Sequence, residues 1–125
     1  VTSSAKGAAA APARPLVLVG LMSGTSHDGI SAAVVRFVPG ARDDRPLPEL
    51  LAFVQEPYDA AFRARLLSAI ATPTHPGDYT RLDFELGARL GAAAVTAIAE
   101  SGLARDEVDG VASHGHTVWH DAPRA

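Results

Sequence analysis

The sequence contains no cysteine, which excludes disulfide frameworks and thiolate chemistry and fits a reducing compartment, the cytoplasm by default. It has no basic excess: Lys+Arg 11 against Asp+Glu 14 leaves a net charge of −3, so no positive field draws nucleic acid or an anionic membrane surface. Long apolar runs are also missing. The strongest, Leu16 to Met22, is too short for a membrane span or a typical signal-peptide core, and no small-residue cleavage site follows close behind, so no targeting segment is read. Repeats of solenoid period are absent as well. What is there is ordinary: 125 residues, 47% hydrophobic and 20% charged, enough for one domain with its own core.

Residues 1–14, alanine-rich and punctuated by proline, predict a disordered tail, leaving 15–125 as the folded unit. Leu16 to Met22 reads as a strand buried on both faces, and Ile30 to Val38, rich in β-branched residues, as a second joined to it by a hairpin. Glu49 to Glu56 predicts a third strand, closed by Pro57. Phe62, Leu66, Leu67 and Ile70 have helical spacing, so a helix is expected over 58–71 with Asp59 near its start. TPTHPGD then breaks the chain. A longer helix is expected from about Tyr79 to Ser101, with Leu82, Leu86, Leu90, Ala94 and Ile98 on one stripe and Gly102 as its C-cap. Gly87 and Gly91 predict a smooth side packed tightly on the sheet. Val108 to Ala112 completes the order β-β-β-α-α-β as a parallel strand reached by crossover.

Two stretches carry chemistry. Gly24 to Gly29 has the glycine spacing of a P-loop, but Ile30 stands where that motif needs lysine, and a strand follows where a helix is required. A hairpin can still hold phosphate: its glycines let the backbone approach, successive N–H groups form an anion site, and Ser23, Thr25 and Ser26 supply hydroxyls. Asp28 is the carboxylate available to Mg²⁺. Such residues are equally what a plain turn uses. Ser113 to His120 gathers His114, His116, His120, Thr117 and the only tryptophan, Trp119. A metal site, with His114 and His116 on one face of an extended chain, is one reading. A plain hydrogen-bonded loop is another, and a sugar site, with the indole against a pyranose ring, is the third.

"GLMSGTSHDG", "LDFELG" and "SHGHTVWHDAP" occur in the order and approximate spacing of the anhydro-N-acetylmuramic acid kinases, which the chain resembles from Pro15 to Pro123. The resemblance implies an actin-like, sugar-kinase (ribonuclease H-like) α/β fold, of which this chain would be the N-terminal lobe without the second. It implies ATP and Mg²⁺ as cofactors and a small sugar substrate: 1,6-anhydro-N-acetylmuramic acid would be opened by water and phosphorylated to N-acetylmuramic acid 6-phosphate, in cell-wall recycling. Gly24, Thr25, Ser26, His27, Asp28, Gly29, Ile30 and Ser31 would form the phosphate hairpin, with Asp28 toward the metal. His114, His116, Thr117 and Trp119 would belong to the sugar pocket, Thr117 as the direct contact, and Asp83 and Glu85 would approach the same cleft unless they are solvated helix carboxylates.

Two departures stand out. Ser31 replaces the family's usual aspartate, and His116 replaces the glutamine of its H-G-Q-T pattern. An imidazole at that position predicts substrate binding that weakens below about pH 6.5. The family's general base, an aspartate in a glycine-rich motif, would lie beyond Ala125, so no catalytic residue is assigned here and the chain alone is expected to be inactive. A non-catalytic nucleotide- or sugar-binding remnant and an actin-like kinase of another small substrate are the alternatives. Homodimerisation of the longer protein, or self-association through apolar surface left by a missing lobe, is a further expectation.

Overall fold

The structure, a computed structural model, describes residues 14–40, 45–119 and 121. Residues 1–13 of the expected tail and His120 lie outside them. Arg14 is tied down, its guanidinium 2.7 Å from the Asp109 carboxylate.

Strands β1 (Leu16–Ser23), β2 (Gly29–Val38) and β3 (Leu47–Pro57) form an antiparallel meander. Helices α1 (Ala60–Ala71) and α2 (Pro76–Ser101) follow, and a single 3₁₀ turn, Arg105–Glu107, leads into β4 (Gly110–His116). The sheet order is β3-β2-β1-β4, with β4 parallel to β1, so the expected element order and the crossover both hold.

Alternation decides which face is covered. Val17, Val19 and Leu21 of β1 and Ile30, Ala32 and Val34 of β2 are buried, and they pack with Phe62 and Leu66 of α1 and with Leu82, Leu86, Ala93, Ala94, Ala97 and Ile98 of α2. The core is therefore a single layer between the sheet and two helices. On the opposite face Met22, Leu50 and Phe53 are exposed.

Local chemistry sets the boundaries. Asp59 caps α1, its Oδ1 accepting the Phe62 N–H at 2.8 Å. α2 begins earlier than expected because His75 is its cap: the imidazole accepts the Gly77 N–H at 3.0 Å, and Pro76 suits a first helical position, which has no N–H to satisfy. Gly102 ends α2 in the left-handed region, φ 75°, as expected. Gly87 and Gly91 depart from expectation. Both are exposed rather than packed on the sheet, because the alanines Ala93, Ala94 and Ala97 carry the close contact. β4 also departs: it starts at Gly110 and runs through His116. Ahead of it the Asp109 carboxylate accepts the Val17 N–H at 2.8 Å, joining the incoming chain to β1.

Candidate active site

The hairpin between β1 and β2 closes with the His27 N–H donating to Gly24 O at 3.1 Å, and His27 adopts a left-handed φ of 52°. Gly29 is required by packing: an added Cβ would lie 2.4 Å from Glu56 O on β3. Space at Gly24 is open. Thr25, Ser26 and Asp28 are exposed, and Ser26 Oγ donates to Asp28 Oδ1 at 2.8 Å. Ile30 lies in the core and Ser31 half-buried on the open sheet face, so neither side chain belongs to the turn itself. The α1 residue Arg63 reaches the loop from below, its Nε donating to His27 O at 2.9 Å. This guanidinium beside the hairpin was not singled out from the sequence, since proximity across the β3–α1 junction leaves no local pattern.

Ser23 is not an open hydroxyl of this loop. It is fully buried and hydrogen-bonds both the Tyr58 hydroxyl and His116 Nδ1, the latter at 2.7 Å. His116 Nε2 in turn meets His27 Nδ1 at 2.8 Å. Both ring nitrogens of His116 are thus engaged. Burial, then the neighbouring His27 and His114, hold the His116 pKa below the usual imidazole value. Burial raises the Tyr58 phenol against the opposing hydrogen bond to Ser23.

The pairing of Ser23 with His116 requires a register shift between Leu21 and Ser23, and Gly115 takes a left-handed φ of 73° there. That kink breaks the simple alternation on which His114 and His116 would share a face. His116 turns to the helix side; His114 lines a depression on the opposite sheet face with Gly20, Met22 and Phe53. The metal reading loses the shared face it rested on, since His114 and His116 lie on opposite sides of the sheet, and its third histidine, His120, lies outside the described residues.

A cavity of about 320 Å³ opens between the two helices and the end of β4. Its floor is apolar, from Leu66, Leu82 and Leu86 among others, and its polar groups include Asp83, Tyr79 and His116. Asp83 therefore reaches a cleft with His116, as one of the two expectations for it had it. Glu85 does not: it pairs with Arg65 at 2.7 Å and Arg89 at 3.1 Å, which hold its carboxyl below the usual range. Val118 lines the cavity; Thr117 and Trp119 do not, and Trp119 is 78% exposed. Hydrophobic floor with few convergent polar groups is the form of a small-molecule site.

The family model described as anhydro-N-acetylmuramic acid kinase matches residues 16–125. The chain belongs to this kinase family. Among its relatives, an anhydro-N-acetylmuramic acid kinase of Rhizobium etli is 44% identical over 110 residues, covering 82% of this chain and 28% of that protein. One of Salinibacter ruber is 43% identical over 108 residues, and one of Streptomyces avermitilis 40% over 104, each covering 82% of this chain and 26% of the relative. The chain thus spans about a quarter of the length of these kinases. Membership establishes a phosphotransferase family of sugar-kinase type, and the four-stranded sheet with two helices agrees with an incomplete N-terminal lobe of such a fold. No helix among the described residues is long and apolar enough to cross a membrane.

Proposed function

We propose that the protein to which this chain belongs uses ATP and water to open 1,6-anhydro-N-acetylmuramic acid and phosphorylate it to N-acetylmuramic acid 6-phosphate, in cytoplasmic peptidoglycan recycling. The observation that carries this reading is the junction at His116, where the hairpin of residues 24–29 and the cavity floored by α1 and α2 meet in a chain of this kinase family. The hairpin is assigned to phosphoryl groups: its backbone and the Thr25 hydroxyl face open space, and Arg63 supplies a cation nearby. The cavity is assigned to the sugar, with Asp83 accepting a hydrogen bond from a hydroxyl and the leucine floor meeting an apolar ring face. Thr117, between the cavity wall residues His116 and Val118, keeps its proposed role as a direct sugar contact, with Trp119 beyond it.

The donor set fits Mg²⁺ in one manner. Asp28 is an exposed carboxylate that lines a depression with Glu56, and Mg²⁺ commonly takes one or two carboxylates, waters and substrate phosphates rather than a protein cage. Bound there, the ion would neutralise phosphate charge. The chain's own groups bind and orient, which is the larger part of what phosphoryl transfer asks of a protein. The base that activates water is proposed to come from a further lobe, so the chain by itself binds without turning over.

Titration calorimetry of the 125-residue chain tests this directly. The anhydro sugar is expected to bind in preference to glucose, and Asp83→Ala to weaken it about tenfold to a hundredfold, the worth of a hydrogen bond to a charged group. Equal binding of glucose and the anhydro sugar would transfer the support to a kinase of another substrate.

A further inference from the structure

The hydrogen bonds that join Tyr58, Ser23, His116 and His27 have only one direction that leaves no buried proton without an acceptor. Tyr58 is 8% exposed, and its hydroxyl has Ser23 Oγ as its partner among the described residues. The phenol proton has no other acceptor there, so Tyr58 donates to Ser23. Ser23, fully buried, then donates its own hydroxyl hydrogen bond to His116 Nδ1 at 2.7 Å. A neutral imidazole that accepts at Nδ1 carries its proton on Nε2, and that proton faces His27 Nδ1 at 2.8 Å. His27 accepts at Nδ1 and so carries its proton on Nε2, the ring nitrogen with no hydrogen-bond partner among the described residues. Reversing the chain would bury the Tyr58 proton unpaired.

We infer that Tyr58, acting through Ser23 and His116, fixes the tautomer of His27 so that the hairpin offers a free imidazole Nε2–H to a phosphoryl oxygen. Tyr58 and Ser23 are positioning residues, and His27 is the group that touches the ligand. The left-handed backbone at His27 serves this arrangement, because it is the conformation in which the ring meets His116 while its amide closes the turn on Gly24. The inference rests on the reading of the hairpin as a phosphoryl site, and the test separates the two.

Long-range proton–nitrogen correlation spectra of ¹⁵N-histidine-labelled chain, recorded above neutral pH, report each tautomer without any ligand. His27 and His116 are both expected to be protonated at Nε2. Inorganic phosphate is then titrated, and the His27 Nε2 resonance is expected to move. Tyr58→Phe keeps the ring and removes the directing donor; it is expected to mix the His116 tautomers and to weaken phosphate about fivefold, the worth of one ordinary hydrogen bond. Protonation at Nδ1 of either ring in the wild-type chain overturns the relay, even if phosphate still shifts the amides of residues 24–29. The assigned tautomers with no response to phosphate overturn the hairpin's phosphoryl role and the task given to His27. If Tyr58→Phe does not fold, the wild-type tautomers alone decide.

Discussion

Gly87 and Gly91 sit one turn apart on the exposed side of α2, and an added Cβ at either meets nothing within 4 Å. Glycine within a helix costs about 1 kcal/mol relative to alanine, so Gly91→Ala is expected to stabilise the chain by about that amount in urea denaturation. Gly87→Ala is expected to stabilise similarly and also to weaken sugar binding, since Gly87 lines the cavity and Gly91 does not. An equal effect of the two on binding would remove the cavity from the sugar assignment. At this scale sequence pattern misled: a pair of glycines at helical spacing looks like a packing face, and only the placement of Ala93, Ala94 and Ala97 against the sheet shows which side is buried.

Between elements, charges and imidazoles set the response to acid. Arg89 of α2 bonds Asp59, the cap of α1, at 2.6 Å and lies over the Phe62 ring at 4.2 Å, joining the two helices. The Phe62 N–H and then Arg89 hold the Asp59 carboxyl below the ordinary range, and Arg65 and then Arg89 do the same for Glu85. Folded, these groups bind fewer protons than unfolded, so their stabilisation is full above about pH 4 and is lost as pH falls through the folded values. His116 shifts in the same direction for another reason, burial, so its contribution begins to fall below about pH 6.5, the unfolded value. The groups that face its ring are Ser23 on β1 and His27 of the hairpin at its two nitrogens, Tyr79 and Asp83 of α2 across the cavity, and His114 on β4. Thermal melts against pH should therefore show two losses, and His116→Gln should abolish the upper one. Persistence of that upper loss in His116→Gln would assign it to another histidine. Since the folded value lies below 6.5, acid loss of substrate binding is expected to set in lower than the sequence suggested.

For the whole molecule, the decisive feature is that both helices cover one face of the sheet. Phe62 is fully buried on that face and Phe53 is 55% exposed on the other. Phe62→Ala is expected to cost about 3–5 kcal/mol, whereas Phe53→Ala in the monomeric chain should cost less than about 1 kcal/mol. Matched denaturation midpoints for the two variants would mean that the open face is covered by a second copy, and sedimentation would then show the dimer.

Much of this architecture was legible locally. The order of the elements, the apolar stripe of α2 and the caps Asp59 and Gly102 follow from short-range spacing and cap chemistry, and the parallel crossover to β4 from its helical connection. The burial of β1 did not follow: a continuous apolar run read as covered on both faces is covered on one, with Met22 exposed on the other. The hairpin loop and the histidine stretch announced themselves through residue type alone. Their connection did not. Ser23 and His116 meet only because β4 lies beside β1 with a shifted register, Tyr58 joins them from the end of β3, and Gly115 turns His116 away from His114. Those contacts join residues 35 and 93 positions apart in the chain. Sequence by itself determined the elements and the family; the tertiary structure decided which side chains share a proton and which face a cavity, because hydrogen-bond direction and burial depend on what the fold brings within a few ångströms.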